Sequence, residues 1–117
     1  MKRLRQALAE LEELGGETLV QEIVDLFLAD APRRLAEARV AMQQGDVRTA
    51  MRAAHSLKSS AAQLGLDSLS SQCARIELMA KTGELPGLPP LLASAESLCA
   101  AGLNALRGAV PPTKAAA

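Results

Sequence analysis

Residues 46–65 read DVRTAMRAAHSLKSSAAQLG, and the fold class follows from this stretch. Val47, Ala50, Ala54, Leu57, Ala61 and Leu64 recur at alternating spacings of three and four, the period of one helix face. Asp46 carries a short acceptor suited to an N-cap, and Gly65 suits a C-terminal stop. The expected helix runs from about Val47 to Leu64. Its apolar arc must be covered by other elements, because most helical stability in proteins comes from packing such a face.

The flanking sequence supplies candidates for that cover. A first helix is expected from Lys2 to Leu14, with Leu4, Leu8, Leu11 and Leu14 on one stripe, stopped by Gly15-Gly16. A second begins near Glu17 and carries Leu19, Val20, Ile23, Val24, Phe27 and Leu28. Pro32 is expected to kink or briefly break it, since proline lacks an N–H and crowds the preceding turn. The pattern resumes with Leu35, Ala38 and Met42 and ends at Gly45.

Beyond Gly65, Asp67 is expected to cap a helix from Ser68 to Thr82, with Leu69, Cys73, Ile76 and Ala80 inward. Gly83 to Pro90 is the clearest loop. A last helix is expected from Leu91 to Arg107. Short connections between amphipathic helices imply an all-α, antiparallel up-down four-helix bundle with an additional N-terminal helix. Residues 1–109 are expected to form one domain, and residues 110–117 a flexible tail.

Composition narrows the function classes. Phe27 is the only aromatic among 117 residues, so Leu and Ala must build the core. Thirteen basic and thirteen acidic residues cancel, which leaves no electrostatic footprint for nucleic acid and no aromatic to stack on bases. No apolar run reaches the roughly 18 residues that a membrane span needs. Glu10, Glu12 and Glu13 interrupt the basic start, so a signal peptide is not expected. Cys73 and Cys99 lack metal-motif spacing and are expected as packed, reduced thiols, which points to the cytoplasm. No metal site is expected.

His55 is the one histidine. On a helical wheel it lies roughly 120° from the centre of the apolar arc, at the edge of the core and leaning toward solvent. Arg52 lies one turn before it, and Lys58 and Ser59 one turn after. The imidazole is thus expected among cations and small side chains, with no carboxylate one turn away. A neutral imidazole is a competent nucleophile at cell pH, and nearby cations would meet the negative charge of a phosphoryl group. Small Ser59 and Ala62 would let a partner's active site approach. These features suit a carrier better than a self-contained catalyst. Ser56, Ser59 and Ser60 come with no oxyanion-hole motif, so a serine nucleophile is not supported.

The segment Ala54-His55-Ser56-Leu57-Lys58-Ser59-Ser60-Ala61-Ala62-Gln63-Leu64-Gly65 resembles the signature of histidine-containing phosphotransfer (HPt) domains of bacterial two-component phosphorelays. Leu14-Gly15-Gly16 looks like their opening turn, and Phe27-Leu28-Ala29-Asp30-Ala31-Pro32 like their Phe-containing helix. Gly45-Asp46 is similar to the pair before the histidine helix, and Cys73-Ala74-Arg75-Ile76-Glu77 to a run on the helix after it. The resemblance implies that His55 is phosphorylated, that Lys58 and Arg52 stabilise the phosphoryl group, and that Ser59, Ala62 and Gln63 shape the site. Glu77 is expected to be structural, paired with a basic neighbour.

It further implies receiver (response regulator) domains as partners, and a hybrid sensor kinase as a related source of phosphoryl groups. The domain would be a carrier rather than an enzyme, a cytoplasmic monomer with no cofactor of its own, using Mg²⁺ supplied by the partner receiver. One position departs from the family pattern: Ser59 stands where Gly is usual beside Lys58. That departure keeps an alternative open, an HPt-like interaction module that docks a receiver or other signalling partner without being phosphorylated.

Overall fold

The structure is a computed structural model, and it describes residues 2–110. Helix α1 spans Lys2–Gln43, α2 Val47–Gln63, α3 Asp67–Thr82 and α4 Leu88–Ala109. A short 3₁₀ turn, Leu85–Gly87, precedes α4. Each helix packs mainly against its two neighbours, in the cyclic order α1, α2, α3, α4 and back to α1. Turns of a few residues between consecutive helices make the bundle antiparallel, as expected.

The N-terminal helix and the next one are joined as α1, with a non-helical residue at Gly16 (φ 72°, ψ −171°). Only glycine adopts this backbone readily, so Gly16 redirects the chain while the helical ladder resumes on both sides. Of the kink or short break expected at Pro32, the break does not occur, and α1 runs through it. Ala31 and Leu35 are buried on either side of it, and the exposed proline ring faces outward. Asp30 also accepts hydrogen bonds from Arg33 and Arg34, and Arg33 pairs with Glu37, which bridges the weakened turn.

Two further boundaries differ from the sequence reading. The N-cap position of α3 is Leu66, and Asp67 is the first helical residue. Asp67 instead pairs with Arg3 Nε at 3.2 Å, tying α1 to the α2–α3 turn, and its charge favours the helix N-terminus. The last helix starts three residues early, at Leu88, with Pro89 and Pro90 in its first turn. The first N–H groups of a helix have no partner within it, so proline is tolerated there.

Asp46 caps α2 as expected, accepting from the Thr49 N–H at 3.2 Å. Ala50, Ala54, Leu57 and Ala61 are buried, together with Ala53, and Val47 is half-buried. Leu57 and Leu64 are almost wholly enclosed and belong to one buried core with Leu69, Ile76, Leu92 and Leu106. Gly65 turns the chain with φ 72°, and a Cβ there would sit 2.3 Å from the carbonyl oxygen of Arg3. The N-terminal part of α1 therefore lies directly on the α2–α3 turn. Cys73 and Cys99 are free and buried. Of the expected tail, residues 111–117 lie outside the described residues.

Candidate functional site

Packing Ala50, Ala54 and Leu57 inward rotates His55 outward, and its side chain is 65% exposed. The adjacent helix then brings a group that helix α2 does not contain. His55 Nδ1 lies 2.6 Å from Glu77 Oε2. Glu77 Oε1 accepts a hydrogen bond from Lys58 Nζ at 3.1 Å. One carboxylate of α3 thus holds both polar side chains of one face of α2.

The register of the hairpin explains this meeting. His55 and Glu77 lie 22 residues apart, with the Gly65 turn near the midpoint, so the antiparallel helices carry them level. His55 and Lys58 share a helix face one turn apart. Ile76 is buried beside Glu77 and fixes the rotation of α3. Ser70 Oγ donates to the Lys58 carbonyl at 2.9 Å, a further tie between the two helices at the site.

The protonation pattern follows from these contacts. A carboxylate only accepts, so the hydrogen in the 2.6 Å contact belongs to Nδ1. The neutral ring then carries its lone pair on Nε2. Partial desolvation pushes the Glu77 carboxyl up, but hydrogen bonds from Lys58 and His55, with their charges, outweigh it and hold it below the usual range. Glu77 is therefore anionic at neutral pH and suited to hold the imidazole in this tautomer. The expectation of surroundings without an acid is corrected: the acid arrives from α3. Glu77 pairs with a basic neighbour as expected, and its contact with His55 was missed. Counting eleven residues to either side of Leu66, the residue after the Gly65 turn, was the signal that would have found it.

The other sequence candidates fall at different distances from the ring. Arg52 is exposed one turn before His55, with Nη2 donating to Thr49 Oγ1 at 3.4 Å. Ser59 and Ala62 are exposed one and two turns after it, leaving small side chains beside the imidazole. Gln63 does not join them. It lines a groove between α2 and α1 with Phe27, Ala31 and Leu57. Arg52 and Lys58 flank the ring on opposite sides along α2, so cations stand both before and after it.

A solvent-facing imidazole with Nδ1 held, Nε2 free and cations alongside is equipped to take up and release an electrophilic group. The chain belongs to the Hpt domain family, whose model matches residues 22–109. Histidine phosphotransfer in phosphorelay signalling is the function of this family. The chain is also similar to a solved structure, histidine-containing phosphotransfer protein B (HptB) from Pseudomonas aeruginosa PAO1. The TM-score is 0.83 at 29% identity, covering 88% of this chain and 89% of that one. No curated protein matches the chain.

Proposed function

We propose that His55 is the phosphoryl-carrying residue, and that it reacts through Nε2. The observation that carries this reading is the exposed ring whose Nδ1 is engaged by Glu77. In the forward step the Nε2 lone pair attacks phosphorus of an aspartyl phosphate on a receiver domain. The P–O bond breaks and the receiver's carboxylate leaves. A second receiver then takes the phosphoryl group by the reverse reaction. Lys58 and Arg52 meet the added negative charge. Ser59 and Ala62 leave room for the receiver's face.

The proposed partners supply the rest of the chemistry. Each receiver brings Mg²⁺ and its acidic pocket, and the chain acts as a carrier between them. A hybrid sensor kinase is the class of protein that would feed phosphoryl groups into such a relay. No helix among the described residues is long and apolar enough to cross a membrane. We place the domain in the cytoplasm as a monomer. The docking-only alternative draws no support from Ser59, which is exposed and does not cover the ring.

The test mixes a labelled phospho-receiver, Mg²⁺ and this chain. The wild type should take up label, and His55→Gln should take up none. Uptake by the variant, or none by the wild type from any cognate receiver, contradicts the reading.

A further inference from the structure

Phosphohistidine must be easy to break as well as to form, and the bonding of Nδ1 bears on the breaking step. When Nε2 carries phosphorus, a ring that keeps its Nδ1 proton is cationic. On transfer the P–N bond breaks, its electron pair returns to Nε2, and neutral imidazole leaves. A ring that has lost the Nδ1 proton must leave as imidazolate, a far poorer leaving group.

The Glu77 carboxylate accepts from Nδ1 at 2.6 Å in the unphosphorylated protein. Its second oxygen is shared with Lys58 at 3.1 Å. Lys58 is also a cation able to turn toward a phosphoryl group on Nε2. That turn would release Glu77 to serve the ring alone. From these contacts, and resting on the reading of His55 as the phosphoryl site, we propose that Glu77 is a positioning residue that keeps the Nδ1 proton on the phosphorylated ring, so that neutral imidazole is the leaving group. Phosphorylation thus exchanges partners: Lys58 goes to the phosphoryl oxygens, and Glu77 stays with the cationic ring. No proton has to move during transfer in either direction.

The neighbouring charges leave this assignment to Glu77. On α2 the ring is faced by Arg52 and Lys58, both cations that oppose a protonated ring. On α3, Lys81 lies one turn beyond Glu77 and is also a cation. The Glu96 carboxylate of α4 is bound by Arg39 of α1, and Asp30 of α1 by Arg33 and Arg34. Partial burial of Glu77, whose side chain is 20% exposed, strengthens its hold relative to a carboxylate in open water.

The test needs no partner protein. Phosphoramidate loads the single histidine, and ³¹P NMR follows P–N cleavage by water from pH 6 to pH 9 in wild type and Glu77→Gln. Gln keeps an acceptor for Nδ1 but not the charge. The rate ratio of wild type to variant should be near one at pH 6 and rise about tenfold by pH 9, one unit's worth of charge effect. A purely structural role would give a ratio that does not depend on pH, and that result overturns the proposal. If Glu77→Gln loses its helical circular dichroism, ¹⁵N NMR of the phosphorylated wild type replaces it. The Nδ1 proton should persist to higher pH in the folded protein than in the same phosphorylated chain unfolded in urea, and equal midpoints overturn the proposal. Failure of wild type to form any phosphohistidine overturns the reading of His55 itself, and this inference with it.

Discussion

His55 Nδ1 and Glu77 Oε2 stand 2.6 Å apart across the α2–α3 interface, joined by neither sequence proximity nor a shared helix. The contact ties the reactive ring to the packing of the hairpin. Leu57 and Ile76 are each about 1% exposed, and they set the rotation of the two helices that present the pair. The buried core therefore determines which ring nitrogen faces solvent. The site is a property of the bundle rather than of one helix.

Ser59 occupies an exposed position one turn after His55. Replacing it with Gly removes the hydroxymethyl group beside the ring. Phosphoryl uptake from a receiver should rise by a few-fold, measured by stopped-time label transfer. Stability should fall by roughly 0.5–1 kcal/mol, because glycine loses more backbone freedom within a helix. Slower uptake in Ser59→Gly would show that the hydroxyl assists the reaction.

Much of this was legible in the sequence, for reasons that differ by element. The α2 face was readable because its apolar positions keep one strict period from Val47 to Leu64. The outward rotation of His55 followed from the same arithmetic. Glu77 was not placed at the ring, because helical periodicity describes one helix at a time and the contact depends on inter-helix register. Local sequence left a kink or a break open at Pro32, and α1 stays unbroken because burial of Ala31 and Leu35 and the Asp30–Arg33–Arg34 cluster hold the turn. The Gly-Pro-rich run before α4 read as loop, although Pro89 and Pro90 occupy the first helical turn, where proline fits.

Acid should weaken the bundle in a defined direction. Glu77 is held low by Lys58 and His55 against partial desolvation, and Glu96 chiefly by its hydrogen bond from Arg39. A carboxyl held lower in the folded chain binds fewer protons when folded. Its stabilising contribution is present above the unfolded value of 4.5 and is lost as pH falls through the lower folded value. Urea midpoints should be steady from pH 7 to about 5 and drop below about pH 4. Glu96→Gln should flatten part of that drop. An unchanged slope in this variant would remove the Arg39–Glu96 pair from the explanation.

Gly65→Ala should detach the N-terminal part of α1. The added Cβ meets Arg3 O at 2.3 Å, and φ of 72° disfavours any side chain. The backbone penalty alone is about 1–2 kcal/mol. Hydrogen exchange should accelerate most over residues 2–15, with a smaller change in α4. Uniform acceleration across all helices would contradict the close approach as the cause.

Both thiols should be silent in the native state. Burial pushes Cys73 up to about 12, with Cys99 adding to the effect, and burial alone raises Cys99. A thiol so rarely ionised is a poor nucleophile. An aromatic disulfide reagent at pH 8 should titrate neither cysteine until urea is added, and then both. Fast labelling without denaturant would place one of them at an opening in the fold.

The central claim is that His55 carries the phosphoryl group on Nε2, and locating the bond tests it most directly. The chain, loaded by a phospho-receiver with Mg²⁺, is digested under alkaline conditions that spare phosphohistidine, and ¹⁵N–³¹P coupling then identifies the bonded nitrogen. The structure predicts phosphorus on His55 Nε2, with Nδ1 still protonated. Phosphorus on Nδ1, or on any residue other than His55, would contradict it.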